Sequence, residues 1–128
     1  MTYPPGTTIA HFDATDVGKF ATAAFLDPER FNDLEIELGN EQLTIEEAAM
    51  SIERASGLKI KTKYLISNED LERARSFYVY GMYQWALKED YFVTNPRDLD
   101  QYGIRLTTLD EFCQREVEDL KETLKIEK

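Results

Sequence analysis

The stretch from His11 to Gly57 constrains the fold most, because it sets two helix signatures among short extended segments and places a stop signal after each helix. Thr8–Phe12 reads as a strand. Asp16 stands where a side chain can cap a helix, and Val17, Phe20, Ala21, Ala24 and Phe25 follow at the spacing of a core-facing stripe. Asp27 and Pro28 stop that helix. Glu35–Leu38 reads as a second short strand ending at Gly39. Thr44 and Glu47 then have capping-box spacing, Ile45, Ala48, Ala49, Ile52 and Ala55 form one face, and Gly57 suits a left-handed C-terminal cap. In Lys59–Leu65 the residues Ile60 and Thr62 alternate with lysines, as in a half-buried strand. Strand, helix and strand in so short a span predict a right-handed parallel crossover.

Downstream, one long helix is expected from Ser67 or Asn68 to about Val93, ended by Asn95 and Pro96. A last helix opens at Thr108 with Glu111 as its capping-box partner, and its stripe is Leu109, Phe112, Cys113, Val117, Leu120 and Leu124. The fold class is therefore α/β and mostly helical, a short parallel two-stranded βαβ unit with packed helices. A chain of 128 residues suits one domain. Its expected bounds are 9–124, after a flexible lead over 1–8 and before a frayed tail over 125–128.

Charge narrows the partners. A formal net charge of -10 argues against nucleic acid and acidic membrane surfaces, both of which are bound through clustered Lys and Arg. No apolar run approaches a bilayer span, and the lead MTYPPGTT has neither a basic nor an apolar signal region, so a cytoplasmic location is expected. The one cysteine, Cys113, sits on the apolar stripe of the last helix and reads as a small buried hydrophobe. One His and one Cys do not make a metal set, so no metal is expected. The acids Glu35, Glu37, Glu41, Glu46 and Glu47 read as a solvated face.

A dinucleotide site needs glycines close together between a strand and a helix, so that the backbone can approach the pyrophosphate. The six glycines stand at 6, 18, 39, 57, 81 and 103, too far apart for such a turn or for a P-loop. No cofactor is therefore expected to bind this chain alone.

Two features could carry function. Between Phe77 and Phe92 the aromatic and apolar residues cover nearly the whole circumference of a helix at about 100° per residue. Such a helix is buried on more than one side or presents a second face to something else. Phe77, Tyr78, Tyr80, Tyr83 and Trp85 are the candidate face, for a homodimer, a Rossmann-containing partner or a small aromatic ligand. Separately, His11 and Asp13 fall on one side of a strand by period two, the placement an imidazole and an orienting carboxylate would need for acid–base catalysis. Asp16 reads as scaffold.

The runs HFDATDVGKFATAAFLDPERF, EIELGNEQLTIEEAAMSIERASG and GIRLTTLDEF together resemble the second half of an NmrA-like protein, an atypical short-chain dehydrogenase relative of fungal type. The resemblance covers roughly residues 9–115. It implies the C-terminal part of that fold, truncated of its Rossmann half. It also implies an accessory or regulatory binding module, in fungal secondary metabolism or nitrogen-metabolite regulation. NAD(P) and oxidoreductase chemistry enter only through the family, whose catalytic Lys or Tyr matches no position here. The competing expectation is a small cofactor-independent isomerase, cyclase or dehydratase acting on an aromatic or polyketide-like compound.

Overall fold

The computed structural model describes residues 5–64, 67–75, 80–89 and 95–125. It is mostly helical around one two-stranded sheet. Strand β1 (Thr8–His11) pairs antiparallel with β2 (Glu41–Thr44), with Ile9 opposite Leu43 and His11 opposite Glu41. The expected parallel crossover is thus replaced by a hairpin-like return across a long connection. Residues 35–38 keep the alternating pattern of a strand but carry no ladder; β1 pairs instead with the four residues that lead directly into the next helix cap. Periodicity reports a two-sided environment and says nothing about which neighbour fills the ladder. Residues 59–64 likewise form no strand. There the Ile60 amide donates to Glu53 Oε1 at 2.7 Å, so a side chain from the preceding helix takes the place of a strand partner.

Helix α1 (Ala14–Leu26) begins earlier than expected, with Asp13 rather than Asp16 as its cap, the Asp13 carboxylate accepting from the Thr15 amide at 2.8 Å. Apart from Phe20, its apolar stripe is also turned away from the core. Asp16 is 0% exposed and Phe20 is buried, whereas Val17 is 47%, Phe25 86% and Leu26 81% exposed. The rotation follows from Asp16, whose carboxylate accepts the Thr107 amide at 2.6 Å and so turns its own side of the helix inward. Asp27 and Pro28 end α1 as predicted and open a single turn, α2 (Pro28–Phe31).

Helix α3 (Ile45–Ser56) carries the full capping box of Thr44 and Glu47 and closes on Gly57 at φ 73°, where only a residue without Cβ avoids strain. Ala48 and Ala49 are buried along it. On the span expected for one long helix, the described residues form α4 (Asn68–Arg75) and α5 (Tyr80–Lys88). A 3-10 helix over Pro96–Tyr102, capped by Asn95, follows. The last predicted helix is two, α6 (Leu109–Arg115) and α7 (Val117–Lys125), separated at Glu116, where φ -98° and ψ 21° leave the helical region. No glycine or proline marks that break. Helices α6 and α7 pack on α3.

The core is small. Phe20, Ala48, Ala49, Ala74, Leu99 and Cys113 are its buried apolar members among the described residues. Aromatic rings extend it, Phe20 meeting Tyr102 edge-on at 5.6 Å and Phe31 stacking on Tyr102 at 5.5 Å.

Candidate pocket beside His11

The end of the β1–β2 ladder, the start of α1 and the start of α6 meet around a cavity of about 300 Å³. His11, Phe12, Asp13, Ala14, Glu41, Thr107, Thr108, Leu109 and Phe112 line it. Each enters for a local reason. His11 and Glu41 are cross-strand neighbours, and the Asn40 amide donates to the His11 carbonyl at 2.8 Å, closing the ladder there. Thr108 caps α6, its hydroxyl accepting the Glu111 amide while the Glu111 carboxylate accepts the Thr108 amide.

Both expected residues, His11 and Asp13, line this cavity, and each is held by a different partner. The His11 Nδ1 donates to the Ile9 carbonyl at 2.8 Å. In the neutral ring that leaves Nε2 as a lone-pair acceptor. The Asp13 carboxylate accepts from Arg115 Nη1 at 2.8 Å, from the Thr15 amide and from the Thr15 hydroxyl. The Arg115 and Thr15 hydrogen bonds outweigh burial and hold the Asp13 carboxyl down at about 2. An acid so stabilised as its anion is a structural anchor and a poor proton acceptor.

Asp16, read as scaffold, is deeper than a cap. Burial would raise its pKa, but hydrogen bonds from Lys19 and from the Thr107 amide and hydroxyl overcome that and lower it. The Lys19 ammonium lies 2.6 Å from Asp16 and also donates to the Arg105 carbonyl at 2.9 Å. Glu41 was read as part of a solvated face. Its carboxylate instead accepts the Leu109 amide at 2.6 Å, at the first turn of α6. Sequence reasoning missed Glu41, Thr107 and Phe112 as pocket residues and Arg115 as the partner of Asp13. Their signals are contacts across 60 residues and more, except that the capping box does mark where α6 begins.

The aromatic candidates lie elsewhere. Tyr80 is half-buried and Trp85 is exposed, both on α5. Phe77 and Tyr78 fall outside the described residues, as does the side chain of Tyr83. A second cavity, about 410 Å³, lies between residues 35–37 and the 3-10 helix and is lined by Glu35, Glu37 and Asp98 together with Asn95, Gln101, Ile36, Leu99 and Tyr102.

The described residues do not fit a dinucleotide. Where β1 passes into α1, the chain reads His11–Phe12–Asp13–Ala14, with no glycine to admit a pyrophosphate. The helix N-terminus that would receive the anion already holds the Asp13 carboxylate. The larger cavity is acidic and would repel phosphate. Among the described residues no group of three or more His, Cys, Asp or Glu is placed to hold a metal ion, and no helix is long and apolar enough to cross a membrane.

No curated protein and no solved structure matches the chain. The NmrA-like family model matches residues 2–127, and with so nearly complete a match, over the strand–helix and capping-box segments that build this pocket, the chain belongs to the NmrA-like family.

Proposed function

We propose that the chain is a binding module, accessory or regulatory in role, whose ligand is a small planar aromatic molecule that donates a hydrogen bond. Full-length members of the family bind NAD(P). On this reading residues 1–128 do not themselves hold that cofactor and work through the pocket beside His11. The observation that carries the reading is the pocket's polar inventory. His11, with Nδ1 already donating to Ile9, offers an acceptor, and Glu41 offers a carboxylate, in a cavity otherwise lined largely by apolar groups that include Phe12 and Phe112. Rings suit the aromatic lining, and acceptors select donors. Binding is favoured over catalysis because the His11 Nδ1 that an orienting carboxylate would hold donates to the Ile9 carbonyl, while Asp13, the carboxylate nearest in sequence, is engaged by Arg115. Secondary metabolism or nitrogen-metabolite regulation is where the family resemblance points for the pathway.

The test is a titration with phenol and indole, followed by amide chemical shifts, with anisole and N-methylindole as controls that keep the ring and lose the donor. Phenol and indole should perturb His11, Glu41 and Phe112, and the methylated pair should bind about 3- to 10-fold more weakly, the worth of one hydrogen bond. Equal binding of both pairs, or shifts confined to α5, would sink the reading. Turnover of an aromatic substrate that His11→Gln abolishes, with the fold intact, would favour the small-enzyme alternative.

A further inference from the structure

Helix α1 shows solvent a stripe made of Ala14, Val17, Gly18, Ala21 and Phe25, all exposed. At about 100° per residue these five cover roughly 100° of the helix surface. The stripe carries no charge. The ionisable residues of α1 are Asp16, which is fully buried, and Lys19, whose ammonium is engaged by Asp16 and the Arg105 carbonyl. On a chain with a net charge of -10 and 31% charged residues, an uncharged strip bearing a phenyl ring 86% exposed is an anomaly of placement.

We propose that this stripe is a self-association surface, on which α1 of one copy packs antiparallel against α1 of a second copy about a two-fold axis beside Ala21. Charge selects the occupant. A basic partner would find no acid on the strip and an acidic partner no base, while two copies of so acidic a chain repel each other least where they meet through a face free of charge. The sequence of the strip is complementary to itself. Val17 and Phe25 lie four residues either side of Ala21, so an antiparallel pairing about Ala21 sets Phe25 of each copy against Val17 of the other. The small side chain at the crossing lets the backbones approach. Gly18 leaves a notch beside the incoming ring, since a Cβ built there would meet nothing within 4 Å. The row Val17, Ala21, Phe25 is an i, i+4 ridge, the kind that packs into the matching groove of another helix.

The register makes the proposal testable with the full chain. Sedimentation of the native chain should show a concentration-dependent dimer, and Val17→Lys or Phe25→Asp alone should weaken it by at least about ten-fold, because each buries an unpaired charge. Both residues are exposed, so each variant should keep the native circular dichroism and unfolding midpoint. An equimolar mixture of the Val17→Lys and Phe25→Asp chains should recover association at least about ten-fold over either alone, since only the mixed pair sets a lysine against an aspartate and Phe25 against Val17. Under oxidation the Ala21→Cys chain should form a covalent dimer faster than a Gln84→Cys chain, whose thiol would sit on α5. A native chain that stays monomeric up to about 300 μM, a mixture no tighter than its components, or faster crosslinking through position 84 would each overturn the proposal. A monomer would leave the stripe to a different protein.

Discussion

The described contacts of two regions of the molecule differ in how far they reach along the chain. Where β1, α1 and β2 meet residues 105–115, the joins are polar, long in sequence and aimed at backbone groups. Asp16 takes the Thr107 amide, Glu41 the Leu109 amide and Asp13 the Arg115 guanidinium, while Asn40 Nδ2 donates to the Thr107 carbonyl at 2.9 Å. In the α4–α5 region the described polar contacts are short in sequence. Among the described residues α4 touches α5, and its polar contacts include Arg75 to Glu72 within one turn and Lys63 to Asp70 at 3.6 Å. A small chain with a thin core can thus concentrate cohesion where carboxylates satisfy loop amides that no helix or sheet would satisfy.

Removing the deepest stitch should cost most. Asp16→Ala strands the Thr107 amide and hydroxyl and should lower stability by roughly 2 to 4 kcal/mol, read as the urea midpoint. A loss below about 1 kcal/mol would mean that water replaces the carboxylate and that the two regions differ less than their contacts indicate.

The Asp13–Arg115 pair comes next and carries a pH signature. Asp13 has its carboxyl at about 2 in the folded chain against an ordinary 3.8, so its contribution is present above about pH 4 and is lost as the pH falls towards 2. Asp16 is shifted in the same direction. Arg115→Ala should therefore cost about 1 to 3 kcal/mol at pH 7 and much less near pH 2. A deficit independent of pH would assign the loss to the packing of Arg115 on the Phe112 ring, 5.3 Å from its guanidinium carbon.

The smallest effect belongs to the other region. Arg75→Ala removes a pair whose two side chains are both largely exposed, and the midpoint should move by less than about 0.5 kcal/mol. A larger change would show that α4 is tied to the rest of the chain through that arginine.

The same contrast explains what could be read in advance. Thr44 with Glu47, Thr108 with Glu111 and Gly57 were legible because a cap is decided within about four residues of chain. His11 and Asp13 share a side of the strand by period two, but the dyad which that placement suggests is not what the structure pairs: His11 Nδ1 donates to the Ile9 carbonyl and Asp13 accepts from Arg115. The strand pairing was misjudged because alternation at 35–38 and 59–64 is a local property, whereas the ladder is a competition that Glu41–Thr44 wins. Asp16 reads locally as a cap because its partner, Thr107, stands 91 residues away. Of the α1 stripe that period alone assigns to the core, Phe20 is buried, whereas Val17, Ala21 and Phe25 face solvent because the buried Asp16 carboxylate turns its own side of the helix inward.

The lone thiol of Cys113 gives the molecule a clock for its own breathing. It is 1% exposed in the middle of α6, and burial, reinforced by Asp110, raises its pKa and keeps it protonated. A reagent in solution therefore meets a reactive thiolate only during those moments when α6 lifts from α3, so labelling kinetics at Cys113 count the openings of this junction, with no probe added to the chain.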